Sequence, residues 1–395
     1  MIVLSGADVI VPGGRLSPGT VVLDHNRIID VLQGTRPGLA AEHHVDLSGR
    51  YLVPGFIDVH IHGVEGIDTL DDGDPIAELA RRLPRYGVTG FCPTSLACDP
   101  AVLSRMLAGI ARARAAAGAG SRVLPAHLES NFLNPEFKGA QPLECLRLPR
   151  GPSPEGAFTG ADILAVIAAA RPDVGILTIA PEIDGALELI ADLVSHGHYV
   201  SLGHSGATFE QAIAGIEAGA RQATHLFNRM PAVGHRAPGL AGAVLAHDGV
   251  AAEVICDGVH VHPAMIGVAL AAKGVEGFMA ITDGTAGSGL PRGASSLIGG
   301  RPITIGDAAY LGDGTLAGSA ITMDRAFANL VEIVGTSLPD AATVCSTTPA
   351  RQLGLQNIGV IAPGAFADLV VLDRDLRVEQ TFVDGRVVFD RAVEA

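Results

Sequence analysis

The stretch "GFIDVHIHG", residues 55–63, is an apolar run of strand character that carries two histidines, His60 and His62. Side chains two positions apart on a β-strand point to the same side of the strand. The two imidazoles therefore converge on one point, which core packing alone does not explain. Because imidazole is a common ligand of Zn²⁺ and similar divalent ions, the pair predicts a metal site at the end of a buried strand.

Seven more apolar runs of strand length follow, and Ala/Leu-rich segments of helical character lie between them. The eight strand candidates end at "FIDVHIHG", "GVTGFCPTS", "RVLPAHLES", "GILTIAPE", "YVSLGHS", "RQATHLFN", "AAEVICDG" and "FMAITDG". Strands that alternate with helices predict parallel βαβ units, and continuous apolar strands predict burial on both faces. Eight such units predict an α/β protein with a TIM-like (β/α)8 barrel.

The two ends of the chain have a different pattern, since residues 1–50 and 361–395 read as short strands separated by turns. Asp384 and Gly385 form an Asp-Gly pair of the kind that closes β-hairpins. These two segments predict one small β-sandwich domain that flanks a barrel of residues 51–360. Residues 297–316 predict a β-hairpin inserted after the eighth strand.

Polar residues follow the predicted strands at their carboxyl ends, the rim where (β/α)8 barrels carry their active sites. Glu129, His204 and His225 add three metal ligands to the two histidines of the first strand. Five ligands hold two ions if Glu129 bridges them, or one ion with the other pair idle. Asp283, after the eighth strand, is placed to exchange a proton with water. Two further histidines lie two positions from these residues and are candidates to support a ligand from behind: His127 and His262.

Composition narrows the classes of partner. The chain of 395 residues is 48% hydrophobic and 17% charged, with a formal net charge of −15. An acidic chain of this kind argues against nucleic-acid and anionic-membrane partners, which require basic surfaces. The first residues lack the basic segment of a signal peptide, and no uncharged run reaches membrane-spanning length. Five scattered cysteines without a C-x-x-C pair predict reduced thiols and a cytoplasmic location.

Several motifs, taken in order, resemble one known family. The stretch "PGFIDVHIHG" resembles the opening of the amidohydrolase superfamily. Later stretches are similar to its N-acetylglucosamine-6-phosphate deacetylases, namely "HLESNFLNPEFKGAQ", "LGHSGATFEQA", "ATHLFNRM", "PGLAGAVL", "DGVHVHP", "TDGTAGSG" and "GTLAGSAITM". The resemblance runs over nearly the whole chain. It implies a barrel enzyme that removes acetate from an N-acetylated sugar phosphate in amino-sugar catabolism, most often as a homodimer.

The resemblance also implies roles for single residues. It puts the main metal ion, Zn²⁺ in the first instance, on Glu129, His204 and His225, and it makes Asp283 the acid/base. Because His60 and His62 are both present, a second ion fits. The remaining implied positions contact the substrate: Arg236 and His260 at the phosphate, Asn228 and Arg229 beside it, Ala140 and Gln141 near the sugar, and Leu316, Ala317 and Gly318 near the acetyl group. Arg236 serves either its own site or that of a neighbouring subunit.

Three motifs depart from the usual family pattern, at four positions: Ser130 and Asn131 in "HLESN", Arg229 in "FNRM", and Gln141 in "KGAQ". All of them fall where the sugar is expected. N-acetylgalactosamine 6-phosphate, or another N-acylated amino sugar, is therefore an open alternative substrate.

The sequence argues against two rival interpretations. Amidohydrolases that bridge two metals with a carboxylated lysine need a lysine at the end of the fourth strand. The only lysines here are Lys138 and Lys273, and the fourth strand ends "ILTIAPE". A non-catalytic scaffold would be expected to lose a ligand or the acid/base, and none is missing.

Overall fold

The computed structural model describes residues 1–36, 38–39, 41–116, 118, 120–155 and 157–394. Eight parallel strands are arranged in chain order as a barrel. From the first to the eighth barrel strand they are Phe56–Ile61, Val88–Ser95, Ala126–Leu128, Val174–Ile179, Tyr199–Leu202, Gln222–Ala223, Ala251–Ile255 and Phe278–Ile281. The barrel closes at its carboxyl edge, where Ile61 bridges to Gly284 and the Asp283 backbone N–H donates to the His60 carbonyl at 2.9 Å.

The predicted burial of these strands is confirmed. Every residue of the first and second barrel strands is buried, as expected when helices cover the outside and side chains fill the inside of a parallel sheet. An added short strand, Arg122–Val123, also pairs with the second barrel strand. Among the described residues, the sixth strand is the shortest of the eight, with Gln222–Ala223 alone in regular pairing.

A helix follows each barrel strand. The helices are Pro75–Arg82, Pro100–Ala115, Gly160–Ala169, Ala186–Ser195, Phe209–Glu217, Gly239–Ala246, Pro263–Gly277 and Met323–Asn329, and the shorter ones Leu338–Ala342, Thr348–Gln352 and Arg391–Glu394 close the chain. Local sequence sets their starts: Asp99 accepts bonds from the Ala101 and Val102 backbone N–H groups, and Thr208 forms a capping box with Gln211. None of the described helices has the combination of length and apolar character needed to cross a bilayer.

The two ends of the chain meet in one sheet. Its strands are Ile2–Val11, Gly14–Asp24, Arg27–Gln33, His43–Asp46, Tyr51–Pro54, Leu369–Leu372, Val378–Val383 and Arg386–Asp390. The join is the antiparallel pairing of Tyr51–Pro54 with Leu369–Leu372. The sheet packs on an apolar core of its own, which includes Leu4, Val21 and Ile361. The fold class, a barrel with a small β domain from both termini, is therefore confirmed.

The boundaries of the two regions follow from this pairing. Tyr51–Pro54 is the last strand that the N-terminal segment contributes to the terminal sheet. The predicted domain boundary after residue 50 therefore lies just before this strand. We therefore propose that the barrel begins at Gly55. At the other end, Asp384 and Gly385 have φ values of 49° and 72° and form the predicted hairpin turn. Positions 37, 40 and 395 of the predicted terminal segments lie outside the described residues.

The predicted hairpin after the eighth strand is a three-stranded antiparallel sheet, with strands Ser295–Ile298, Arg301–Ile305 and Ala309–Leu311. Gly299 and Gly300 make its first turn at φ values of 52° and 77°, a conformation that glycine adopts without steric cost. The third strand is short and was not predicted. This insertion lies over the carboxyl rim of the barrel, where it contributes a wall of the cavity described next.

Candidate metal centre and substrate cavity

The carboxyl ends of five barrel strands bring the predicted ligands and the predicted acid/base together. Three of these side chains, His204, His225 and Asp283, lie two residues beyond the end of their strands. Each has a left-handed backbone, with φ values of 46°, 32° and 48°. Such conformations cost on the order of 1–3 kcal/mol each in residues other than glycine and concentrate at functional sites. The same sharp turn thus recurs at three strand ends around one centre.

The first ligand group consists of Glu129, His204 and His225, all buried. Oε1 of Glu129 lies 2.8 Å from Nε2 of His204 and 2.9 Å from Nε2 of His225, and the two Nε2 atoms are 3.1 Å apart. Behind the cluster, the His204 Nδ1 faces the Phe137 carbonyl oxygen at 2.9 Å. One carboxylate oxygen and two imidazole nitrogens converge on one point, and this donor set fits a divalent cation.

The second ligand group shares Glu129 and adds His60 and His62. The two Nε2 atoms are 3.3 Å apart, and Nε2 of His62 lies 3.6 Å from the other carboxylate oxygen of Glu129, Oε2. Oε1 of Glu129, which faces the first group, also lies 3.8 Å from Nε2 of His60, so the carboxylate stands between the two groups. This is the arrangement that a bridging carboxylate requires, so the five residues fit two divalent ions as well as one.

Asp283 closes the cluster on the cavity side. Its Oδ1 lies 3.3 Å from Nε2 of both His60 and His62. Burial alone would favour the neutral acid, but the neighbouring imidazoles of His60 and His62, the latter through a hydrogen bond, hold the pKa of Asp283 below its ordinary value. The side chain is therefore a carboxylate at neutral pH, and a carboxylate is able to accept a proton.

The electrostatics of Glu129 follow the same pattern. Burial opposes its charged form, but the charge and hydrogen bond of His204, together with the hydrogen bond of His225, hold the pKa of Glu129 well below its usual range. For His225, burial favours the neutral ring, yet the hydrogen bond and charge of Glu129 raise its pKa to about 9. Two buried carboxylates of the cluster, Glu129 and Asp283, are thus held in their charged forms, which favours a bound cation.

A cavity of about 470 Å³ opens onto this cluster. Most of the predicted site residues line it: His62, Glu129, Ala140, Gln141, His204, His225, Asn228, Arg229, His260, Asp283, Leu316 and Gly318. Three others do not. His60 lies fully buried beneath the surface, Ala317 is buried in the apolar cluster of the insertion, and Arg236 is exposed outside this cavity.

Six lining residues were not predicted: Leu96, Glu136, Phe137, Phe227, Met230 and Ile298. Four of them are sequence neighbours of predicted site residues in "NPEFKGAQ" and "HLFNRM", so proximity along the chain was an available signal. Leu96 follows the second barrel strand, and Ile298 belongs to the insertion. For Ile298 the sequence offered no signal, because its place over the rim depends on tertiary packing.

Gln141 hydrogen-bonds to Glu129, one of the predicted metal ligands. Its Nε2 donates a hydrogen bond to Oε2 of Glu129, and its Oε1 accepts one from the Ala97 backbone N–H at 2.8 Å. The side chain is buried, so it fixes the orientation of the carboxylate from the loop that follows the third barrel strand. The departure from the family pattern at Gln141 therefore bears on the metal cluster as well as on the sugar.

The lining of the cavity also includes one cationic side chain, that of Arg229. Among the described residues its guanidinium has no hydrogen-bond or ion-pair partner. Gly139, at a left-handed φ of 57°, makes room for this side chain, since a Cβ there would lie 2.5 Å from the Arg229 Nε.

The His260 Nδ1 pairs with Asp257 at 2.6 Å, and its other ring nitrogen has no hydrogen-bond partner among the described residues. Asp257 also caps its turn by accepting two backbone N–H bonds, from Val259 and His260.

The other histidines divide into supporting and peripheral ones. His127 is fully buried, and its ring packs beside that of His60 with the two centroids 4.5 Å apart. His262 instead caps the helix Pro263–Gly277 by accepting from the Ala264 backbone N–H. His198, in the loop before the fifth barrel strand, is buried, with Nδ1 3.0 Å from the Val174 carbonyl oxygen.

Comparisons with known proteins agree with this geometry. Residues 51–388 match the model of the amidohydrolase family. The chain is 34% identical to the N-acetylgalactosamine-6-phosphate deacetylase of Escherichia coli O157:H7, over 85% of this chain and 87% of that protein. It is 36% identical to the N-acetylglucosamine-6-phosphate deacetylase of Rattus norvegicus, over 97% of this chain and 91% of that one.

Solved structures give the same result. An N-acetylglucosamine-6-phosphate deacetylase mutant of Mycobacterium smegmatis, in complex with N-acetylglucosamine 6-phosphate, superposes with a TM-score of 0.88 at 33% identity, over 98% of this chain and 99% of that one. The deacetylase of Thermotoga maritima superposes with a TM-score of 0.84 at 30% identity, over 98% and 99% of the two chains.

Proposed function

We propose, from the premise that the chain belongs to the amidohydrolase family, that it is a metal-dependent deacetylase of a sugar phosphate. It hydrolyses the acetamide of N-acetylglucosamine 6-phosphate to glucosamine 6-phosphate and acetate. The observation that carries this proposal is one cavity lined by the metal-ligand cluster, by Asp283 and by Arg229, whose guanidinium has no partner among the described residues. The direct test is release of acetate from N-acetylglucosamine 6-phosphate by the metal-loaded protein.

The cation belongs to the buried cluster. Glu129, His204 and His225 would hold the main ion, and His60, His62 and Glu129 a second one. Imidazole and carboxylate donors suit Zn²⁺, which we propose as the metal. When bound, it supplies a Lewis acid that polarises the acetamide carbonyl and makes water more acidic.

The chain's own residues carry the proton and orient the substrate. Asp283, held as a carboxylate beside His60 and His62, accepts a proton from the attacking water and then donates it to the departing amine. Leu316 and Gly318 would border the acetyl group, and Ala140 the sugar. Arg229, Asn228 and His260 would hold the phosphate. Binding of the phosphate then orients the amide, which lies at the other end of the substrate, for attack.

The assembly and location of the enzyme are part of the same proposal. A homodimer would bring Arg236, exposed and outside the cavity in a single chain, to the phosphate end of the neighbouring subunit's site. The five cysteines are free thiols, which fits the reducing cytoplasm.

N-acetylgalactosamine 6-phosphate is a second candidate substrate, because the E. coli relative is named for that sugar. The two sugars differ only in the orientation of one hydroxyl. A comparison of kcat/KM on both sugars, measured by acetate release under identical conditions, separates the two candidates. We expect the glucosamine compound to have the higher value, and a higher value for the galactosamine compound would reverse the assignment.

The phosphate contact leads to a testable prediction. We expect Arg229→Ala to lower kcat/KM for N-acetylglucosamine 6-phosphate by about 10- to 150-fold, because a charge-assisted hydrogen bond is worth roughly 1.5–3 kcal/mol. Activity on unphosphorylated N-acetylglucosamine should stay nearly unchanged. Arg81→Ala removes an exposed arginine that pairs with Glu78 and is the matched control. Equal losses on both substrates would show that Arg229 supports the loop and does not bind the phosphate.

Arg236 is tested across subunits. We expect Arg236→Ala to show a similar loss on the phosphorylated sugar. When it is mixed with Asp283→Asn and reassembled, activity should return, because one of the two sites then has both an intact Asp283 and an intact Arg236. No recovery in the mixed dimer, despite proven subunit exchange, would mean that Arg236 does not act in trans.

A further inference from the structure

Glu253 is a carboxylic acid in the middle of the seventh barrel strand, Ala251–Ile255, and it is fully buried. It does not line the substrate cavity. Burial of a carboxylate inside a barrel is costly unless the group is paired. A specific partner must therefore account for its position.

That partner is His60. Oε2 of Glu253 lies 3.0 Å from Nδ1 of His60, and neither side chain has any exposed surface. The other carboxylate oxygen, Oε1, is 3.9 Å from Nδ1 of His127, too far for a hydrogen bond.

The trio of His60, His127 and Glu253 is not itself a metal site. Both ring nitrogens of His127 are engaged, Nδ1 with the Val59 carbonyl oxygen at 2.9 Å and Nε2 with the Thr178 hydroxyl at 2.8 Å. His127 therefore has no lone pair free to bind an ion. Within this trio, Glu253 hydrogen-bonds to His60.

This contact determines which nitrogen of His60 is free. When the Glu253 carboxylate accepts this hydrogen bond, Nδ1 carries the proton and Nε2 keeps its lone pair. That Nε2 lies 3.3 Å from Nε2 of His62, 3.8 Å from Oε1 of Glu129 and 3.3 Å from Oδ1 of Asp283. The ring is therefore oriented to donate its lone pair toward the group that His62 and Glu129 complete.

The other ligand group has the same arrangement at one histidine. There the His204 Nδ1 faces the Phe137 carbonyl oxygen, which likewise leaves Nε2 for the ion. Among the described residues, the Nδ1 atoms of His62 and His225 have no hydrogen-bond partner. Each group thus contains one histidine fixed from behind and one that is not fixed.

We propose that Glu253 is a positioning residue that fixes His60 as an Nε2 ligand of a second divalent ion held with His62 and Glu129. The inference rests on the metal dependence in the proposed function. It extends that proposal by naming the residue on which binding of the second metal ion depends. Outer partners of this kind typically contribute about 10- to 100-fold to metal affinity.

The test measures Zn²⁺ bound per chain and not catalytic turnover. A result that overturns this proposal therefore leaves the proposed deacetylase activity untouched. Holoprotein is equilibrated with Zn²⁺ buffers of graded free concentration, and Zn²⁺ per chain is measured by mass spectrometry. We expect the wild type to hold two ions. In Glu253→Gln the second ion should require about 10- to 100-fold more free Zn²⁺, while the first is unchanged. Gln222→Met, which alters another buried barrel side chain without hydrogen-bond partners, is the control and should match the wild type.

A double-mutant comparison separates positioning from general damage. His60→Ala should hold one ion, and adding Glu253→Gln to it should change nothing more. The proposal is overturned if Glu253→Gln binds both ions as the wild type does, weakens both equally, or alters metal binding in the His60→Ala background. It is also overturned if the wild type holds one ion at every Zn²⁺ concentration.

A measurement on the wild type covers the case in which Glu253→Gln fails to fold. Anomalous diffraction from Zn²⁺-loaded crystals locates each ion. We expect the second ion at Nε2 of His60, with Glu253 still bonded to Nδ1. An ion on Nδ1, or a Glu253 side chain turned away from His60, contradicts the proposal.

Discussion

Replacing Asp283 by Asn is expected to lower kcat by roughly 10²- to 10⁴-fold while the protein keeps its fold and its metal. An amide has nearly the shape of the carboxylate but does not accept the proton of the attacking water. The pKa of Asp283 lies below its ordinary value, so the charged form that Asn removes is the form present at neutral pH. Initial rates on the preferred substrate, together with Zn²⁺ per chain, measure both parts of the prediction.

Two controls make this result specific. Asp307→Asn, at an exposed aspartate in an ion pair with Arg292, should behave as the wild type. The melting temperature of Asp283→Asn should remain close to that of the wild type, because the hydrogen-bonding backbone of that position is unchanged. Turnover at the wild-type rate would remove Asp283 from the proton-transfer role.

Glu129→Gln should have an effect of similar size by a different route. Glu129 is the residue common to both ligand groups, with its carboxylate oxygens 2.8 Å from Nε2 of His204 and 3.6 Å from Nε2 of His62. Without its charge we expect no tightly bound metal and a loss of activity larger than the roughly 10- to 100-fold attributed to an outer partner. Zn²⁺ per chain after exhaustive dialysis measures this directly.

Glu136 offers a matched comparison, since it also lines the cavity but lies outside both ligand groups. Glu136→Gln should retain both metal and activity. If Glu129→Gln kept its full complement of Zn²⁺, the ligand set would have to be reassigned. Loss of metal in both variants would instead indicate that general negative charge in the cavity, and no specific ligand, retains the ion.

Much of the site was predictable because the barrel strands follow one another in chain order and are all parallel. Their carboxyl ends therefore lie at the same rim. Once eight βαβ units were recognised, residues after the strands had to meet at one rim, whatever the loops did. Glu129, His204 and His225 were found in this way. The pairing of the two ends of the chain was predictable from strand and turn patterns, and the positive φ at Asp384 and Gly385 agrees with the Asp-Gly turn.

The remainder depended on features that one sequence does not carry. Nothing in "AAEVICDG" indicates that Glu253 points inward at His60, because a slip of one residue in strand register reverses every side chain. The bond between Gln141 and Glu129 crosses a loop whose path is set by packing. The sequence also does not indicate the left-handed backbone at His204, His225 and Asp283, because residues other than glycine rarely adopt that conformation.

The sheet that joins the two ends of the chain has a consequence for synthesis on the ribosome. Strand Tyr51–Pro54 meets its partner Leu369–Leu372 only after about 315 further residues have been made. At about 5–20 residues per second this is a wait of roughly 15 to 60 s. Throughout that interval an apolar strand edge of the nascent chain stays unpaired and open to aggregation. Deletions near the carboxyl terminus should therefore reduce the yield of folded protein far more than the turnover of the molecules that do fold.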